Sequence, residues 1–163
     1  GAPKLPMLSS LATRHGALIR AVGAGNAAKP SDTLEALPWS AETEVSLIQG
    51  MDIGIMPLDD SPWARGKCGY KLIQYMACGL PVVASPVGVN REIVEHRVNG
   101  FLAETEAEWT KALETLLGDA ELRRRMGLAG RKKVEQQYSL QVYGPKVTSM
   151  LLDVARAGRS AAL

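Results

Sequence analysis

Two spacings of apolar residues alternate along this chain: the three-to-four repeat of helices and the short unbroken runs of buried strands. Leu5, Leu8, Leu11 and Ala12 predict a helix over 5–15, with Gly16 placed to end it. Ala17 to Val22 predicts a strand that closes in Gly23-Ala24-Gly25-Asn26. Residues 27–38 mix polarities around two prolines and predict loop with one ambiguous strand. Ser40 is placed to cap a helix over 41–49 carrying Val45, Leu47 and Ile48. Ile53 to Pro57 predicts a buried strand, and Leu58 to Gly69 a polar loop long enough to point to function.

The second half repeats the alternation. Residues 66–85 read as a glycine-flanked loop, a short amphipathic helix, a Gly79-Leu80-Pro81 turn and an apolar strand from Pro81 to Ser85. Pro86 to Val89 reads as loop, and Asn90 as the cap of a short helix through Glu95. A turn over 97–100 then leads to a short strand, Phe101 to Ala103. Thr105 caps a helix over 106–117 whose apolar face is Trp109, Leu113, Leu116 and Leu117, and Asp119 caps another that runs to about Tyr138. Gly144-Pro145 opens a last helix, with Val147, Met150, Leu151 and Val154 on one face. The tail from 158 to 163 is expected to fray.

Helix alternating with strand predicts an α/β fold: a Rossmann-like parallel sheet flanked by helices, formed by residues 1–163 as one domain. A doubly wound domain opens with a strand, whereas this chain opens with a helix, so the first strand is expected to lie outside these residues.

Composition narrows the classes. With 46% hydrophobic and 22% charged residues, 163 residues suffice for one soluble core. Aromatics make up only 5%, which favours close helix–sheet packing over a β-sandwich. A net charge of +2 argues against a nucleic-acid partner. No apolar run approaches the roughly 18 residues of a membrane span, and the first residues carry no apolar signal region. Cys68 and Cys78 flank one short helix about 15 Å apart, too far for a disulfide. Reduced thiols and a cytoplasmic setting are therefore expected.

The residues themselves offer one candidate site. Lys67, Lys71 and Gln74 project from the loop and first turns of the helix before Gly79, where free backbone N–H groups and two lysines make an anion site. An ordinary helix-to-strand connection with solvated lysines stands as the alternative. Gly23-Ala24-Gly25 resembles the start of a dinucleotide fingerprint, but Ala28 replaces the third glycine and Pro30 follows, so a tight turn lining a crevice fits better. His15 and His96 form no pair with Cys or carboxylates, and no metal-spaced cluster is present in the sequence. His15 sits where a helix dipole favours it. Asp59-Asp60 reads as a polar loop tip. The runs Arg123-Arg124-Arg125 and Arg131-Lys132-Lys133 read as a solvated face, with contact to an anionic membrane surface as the other reading. Trp109 and the methionines at helical spacing are expected in the core.

Taken in order, Ile53–Pro57, Leu72–Ser85, Pro86-Val87-Gly88, Glu92-Ile93-Val94, Asn99-Gly100-Phe101 and the two helices that follow resemble a known family over about 45–138. The family is the group 1 (family 4) glycosyltransferases, and the resemblance is to the C-terminal, donor-binding half of their two-domain GT-B fold. Their usual motif is a Glu, seven residues and a second Glu, the first contacting the donor sugar and the second the ribose hydroxyls. Anchored on Met76-Ala77-Cys78-Gly79, those positions fall on Gly66 and Gln74, so both carboxylates are absent. Gln74 can still hydrogen-bond a ribose diol, while Gly66 offers only its backbone.

The resemblance implies a nucleotide-sugar donor and retention of anomeric configuration. It also implies an N-terminal domain of the same protein as partner, which would hold the acceptor. Lys67 and Lys71 then become the catalytic candidates, with the N–H groups of Cys68 and Gly69 beside them. Arg65, Gly66 and Gln74 complete the donor site, and Gly23, Gly25 and Trp39 wall the nucleotide pocket. If lysines and a helix end supply the charge, no metal or other cofactor is required. A non-catalytic nucleotide or sugar-phosphate binding module is the alternative function. A dinucleotide-dependent oxidoreductase is disfavoured by the broken fingerprint. The 163 residues alone are expected to bind donor and transfer nothing.

Overall fold

In a computed structural model of the chain, the structure describes residues 3–25, 29–142, 144–145 and 147–150. Helices and strands alternate as α1 (Leu5–His15), β1 (Ile19–Val22), β2 (Leu34–Leu37), α2 (Glu44–Gln49), β3 (Gly54–Met56), α3 (Pro62–Arg65), α4 (Tyr70–Ala77), β4 (Val82–Ala84), α5 (Asn90–Ile93), β5 (Gly100–Leu102), α6 (Glu106–Gly118) and α7 (Ala120–Gln137). All strand pairing within these elements is parallel, but it falls into two sheets. β1 pairs with β2, setting Ile19 opposite Leu34, and β3-β4-β5 form the second sheet, with Val83 opposite Ile55 and Phe101.

β4 is central to the larger sheet and shows how a buried parallel strand divides its side chains between two faces. Val83 packs into a cluster with Leu11 of α1 and Trp109, Leu113 and Leu116 of α6. Val82 and Ala84 point the other way, into Leu72 and Met76 of α4 and Val134 of α7. The domain is thus three layers, α1 and α6 on one face and α4 and α7 on the other. Close approach is taken furthest at Gly127 of α7, where an added Cβ would stand 1.8 Å from the Gly79 carbonyl oxygen.

Helix ends follow local chemistry. Gly16 closes α1 in the left-handed region at φ 59°. Thr105 and Glu108 form a reciprocal capping box on α6, and the Asp119 side chain accepts from Leu122 N–H at the start of α7.

Several boundaries differ from the sequence expectation. The ambiguous strand is β2. α2 starts at Glu44 rather than at 41, because Ser40 closes a turn by accepting from Thr43 N–H and the helix follows that turn. The polar stretch 58–69 contains α3, which Ser61 caps by accepting from Ala64 N–H with Pro62 in its first turn. Asn90 is no cap: it is the first residue of α5, and its buried amide donates to the Ser85 carbonyl at 3.0 Å. Helical residues at 140–142 already precede Gly144 and Pro145, so the last helix does not open there. Met76 and Met126 are core, but Met150 is exposed. Leu151, Val154 and the tail from Gly158 lie outside the described residues.

Candidate anion and nucleotide site

In a parallel α/β sheet ligands bind beyond the carboxyl ends of the strands, and the predicted residues fall into two groups in the segments that follow β1, β2 and β3. β1 runs into Gly23 at φ 72°, β2 into Pro38 and Trp39, and a Cβ on Gly23 would lie 3.0 Å from the Trp39 Cβ. The two residues therefore wall one corner, with Trp39 more than half exposed. α2 follows that corner and carries Glu44 in its first turn.

Glu44 is the residue the sequence reading missed. Its carboxylate accepts from the Lys71 ammonium of α4, and Lys71 Nζ also donates to Gln74 Oε1 at 3.1 Å. Hydrogen bonding by Lys71, then by the side chains of Trp39 and Gln74, pulls the Glu44 carboxyl down to about 2. Trp39, Glu44, Lys71 and Gln74 thus form one polar set. Beneath it, Arg20, Val22, Ile48 and Tyr75 join Glu44 and Lys71 in lining a cavity of about 50 Å³. The sequence signal for Glu44, an acid in a helix's first turn, points equally well to the helix dipole.

The second part of the site is the connection from α3 to α4. Arg65 is not directed at a ligand position: its guanidinium clamps both oxygens of Asp60 at 2.6 and 2.8 Å and holds that carboxyl below the usual range. Gly66 ends α3 as a residue with ordinary φ, exposing only backbone. Lys67 is exposed, and its side chain meets no partner among the described residues. Cys68 is an exposed free thiol. Gly69, buried at φ 68°, is the N-cap of α4, and an added Cβ would stand 2.3 Å from Ile93 Cδ1. Among the described residues nothing accepts from the N–H groups of Cys68 or Gly69. Unsatisfied donors at a helix amino end, next to a free lysine, are what an oxyanion takes up. Gly25 (φ 53°) stands apart, and a Cβ there would meet nothing within 4 Å.

Several other polar residues singled out in the sequence bond within the domain. His15 Nε2 lies 3.7 Å from the Glu114 carboxylate, which Arg14 also meets at 3.0 Å. His96 Nδ1 accepts from Leu102 N–H at 3.1 Å, its ring edge-on to Phe101. On α7, Arg124 pairs with Glu121 and Arg131 with Glu135, Arg123 donates to the Leu116 and Leu117 carbonyls, and Lys133 to that of Glu92. Among the described residues no three His, Cys, Asp or Glu side chains gather around a metal position, and no helix is long and apolar enough to cross a membrane.

Three comparisons bear on this geometry. The chain is 33% identical over 91 residues to an N-acetyl-alpha-D-glucosaminyl L-malate synthase of Bacillus anthracis, a match that takes in 54% of this chain and 24% of that protein. It is 36% identical over 70 residues to the human alpha-1,3/1,6-mannosyltransferase ALG2, covering 42% of this chain and 16% of that one. The chain thus spans a quarter or less of the length of these relatives. Among solved structures it superposes on Anabaena Alr3699/HepE in complex with UDP and glucose, with a TM-score of 0.65 and 22% identity over 74% of this chain and 32% of that one. It likewise superposes on the C-terminal domain of a group 1 glycosyl transferase family protein (LpcC) of Francisella tularensis, with a TM-score of 0.56 and 22% identity over 67% and 56%. At such identities these two structures speak for the fold, the α/β architecture of the C-terminal GT-B domain. The sequence model that matches residues 10–119 is that of the glycosyl transferases of group 1, and it is to this family that the chain belongs.

Proposed function

We propose that this chain is the donor-binding half of a two-domain, retaining glycosyltransferase, holding the diphosphate of a nucleotide sugar at the amino end of α4. One observation carries the reading: the N–H groups of Cys68 and Gly69, from which no described residue accepts, follow Lys67 directly in the chain at the start of the helix that carries Lys71. In the transfer, the bond from the anomeric carbon to the diphosphate oxygen breaks and a bond to an acceptor oxygen forms. The electron pair stays on the diphosphate, where N–H dipoles and lysine charge stabilise it without a metal, and the acceptor hydroxyl's proton passes to the released diphosphate. Lys71 takes part by exchanging Glu44 for phosphate, and Gln74, beside Lys71, is placed for the ribose hydroxyls. Trp39 and Gly23 offer the base a wall. The acceptor and remaining catalytic groups belong to an N-terminal domain of the same protein, so these 163 residues bind donor and transfer nothing. The free thiols of Cys68 and Cys78 suit the cytoplasm. Arg123, Arg124, Arg131 and Lys133 of α7 are already tied to neighbouring acids and carbonyls, which weighs against a membrane-facing role for them.

Calorimetric titration with UDP, GDP and NADH tests this. Binding of UDP or GDP that weakens tenfold or more in a Lys67→Ala, Lys71→Ala double variant supports the reading. Binding indifferent to both lysines removes the site assignment, and preference for NADH removes the function. Glycosyl transfer by the 163-residue chain itself would refute the two-half division. The loss of carboxylates at Gly66 and Gln74 favours a second reading, a non-catalytic nucleotide-binding module. No transfer by the polypeptide with all its natural residues, despite UDP binding, would establish that one.

A further inference from the structure

The Trp39 corner and the second lysine of the anion site share one carboxylate. Trp39 follows β2, and Lys71 lies in the first turn of α4. Glu44 accepts from both: from the Lys71 ammonium on one side, and on the other from Trp39, whose only polar side-chain group is the indole N–H. Gln74 closes the set. Its Oε1 accepts from Lys71 Nζ at 3.1 Å, and its side chain bonds Glu44 in turn. The carboxylate is the most sequestered member of the pair with Lys71, so water is a poor replacement for any donor it loses.

The backbone between Trp39 and Glu44 is fixed, which leaves the side chains to carry any change. Ser40 Oγ accepts from Thr43 N–H at 3.3 Å and lies 2.9 Å from Thr43 Oγ1. Glu44 N–H donates to the Ser40 carbonyl at 3.0 Å, and Ser46 Oγ to the Thr43 carbonyl at 2.9 Å. Trp39 is pinned at its root, where a Cβ on Gly23 would stand 3.0 Å from its own, yet the residue is more than half exposed. Its ring can therefore turn about the side-chain bonds, and the acceptor at its N–H decides where it stands.

We infer that Glu44 is a positioning residue for Trp39, tying the orientation of the ring to the occupancy of Lys71, on the reading that a diphosphate comes to rest at α4. While Lys71 holds Glu44, the carboxylate shares its charge among the ammonium, the indole N–H and the Gln74 side chain. When a diphosphate oxygen takes the ammonium, only the two neutral donors remain, and the bond from Trp39 tightens. The ring is drawn to Glu44 and held as the phosphate arrives. By reciprocity, whatever stacks on the held ring makes it easier for Lys71 to leave Glu44. Glu44→Gln breaks this coupling without removing the wall. Its neutral amide oxygen still accepts from the indole but no longer competes for the ammonium.

Nuclear magnetic resonance of the indole N–H groups tests this, with inorganic pyrophosphate as the probe, because it fills the anion site and carries no base to touch Trp39. Trp39→Phe identifies the Trp39 signal, and the backbone N–H of Gly69 reports binding in the same spectra. At saturation the Trp39 signal should move downfield, while that of Trp109, buried in the core, stays. In Glu44→Gln the Gly69 signal should still move and the Trp39 signal should not. Lys71→Ala gives a second reading without ligand: with the ammonium gone, the Trp39 signal should already stand downfield of its wild-type position. A Gly69 signal that moves while Trp39 stays overturns the relay and leaves the anion site intact. So does a Trp39 signal that moves alike in wild type and Glu44→Gln, or one that keeps its wild-type position in Lys71→Ala. A Gly69 signal that never moves removes the anion site, and the relay with it.

Discussion

The ammonium of Lys71 on α4 is held by the carboxylate of Glu44 on α2, 27 residues earlier in the chain, and the acid is the more sequestered partner, with its side chain 14% exposed against 38% for the lysine. The pair joins the smaller sheet's trailing helix to the helix that opens the anion site. It also means that Lys71, one of the two lysines of the proposed diphosphate site, already has an internal anion.

A double-mutant cycle reads that competition. If phosphate must displace Glu44 from Lys71, Glu44→Gln removes a competitor whose ion pair with the lysine is partly exposed and therefore weak. UDP affinity should then rise about three- to fivefold. In a Lys71→Ala background the same change should have no effect. Equal gains in both backgrounds, measured by calorimetry, would show that Glu44 acts only through the general field.

The same carboxyl predicts a pH dependence. Its folded value of about 2 lies below the ordinary carboxylate value near 4.5. The folded state therefore binds the proton less readily than the unfolded one, and the stabilisation is present above about pH 4.5 and lost as pH falls toward 2. Urea midpoints of the wild type and Glu44→Gln, taken from pH 6 to pH 2.5, should converge as the pH drops. Parallel curves would mean that the pair contributes nothing to folding.

Two glycine-to-alanine changes in the α6–α7 hairpin should have opposite signs. At Gly127 the new Cβ would stand 1.8 Å from the Gly79 carbonyl oxygen, so α7 must move off the turn before β4. The expected cost is about 2–4 kcal/mol. At Gly118, the last residue of α6, a Cβ meets nothing within 4 Å, and alanine's better helix propensity should add up to about 1 kcal/mol. Chemical denaturation of the two variants decides whether approach or propensity governs each position.

Elements with strong local signals were readable before any coordinates. The α1 boundaries followed from its apolar spacing and Gly16, the α6 and α7 starts from Thr105 and Asp119, and β4 from an uninterrupted apolar run. What the sequence concealed was tertiary. Ser40 and Asn90 carry good capping side chains, but a turn claims one and the Ser85 carbonyl the other. α3 was hidden in a polar stretch because four residues give no period to read. At the candidate site, Lys67 and Cys68 are exposed in the connection to α4 and Gly69 is its N-cap, while Arg65 is spent on Asp60 and Lys71 on Glu44. Pairings between residues distant in the chain leave no local trace, which is also why the split sheet emerged only from strand partners.

Asn90 offers the sharpest test of such a hidden contact. Its side chain is 1% exposed, its amide donates to the Ser85 carbonyl at 3.0 Å, and Ser85 Oγ in turn accepts from Leu58 N–H at 2.9 Å. The chain leaving β4 is thus fixed to the chain leaving β3, at the end of the sheet where the site lies. Asn90→Ala leaves the Ser85 carbonyl with only the Val87 N–H, at 2.8 Å, and removes a buried amide from the packing, so it should cost about 1–3 kcal/mol. Asn90→Asp keeps the shape but replaces the donor with a buried charge facing a carbonyl, so it should cost more at pH 7 and recover toward the alanine value as acid protonates it. Urea midpoints at pH 7 and pH 4 separate the cases. If both variants stay within about 0.5 kcal/mol of wild type, the range of an ordinary surface change, the Ser85 carbonyl does not need Asn90, and the loops beside the site owe their position to packing alone.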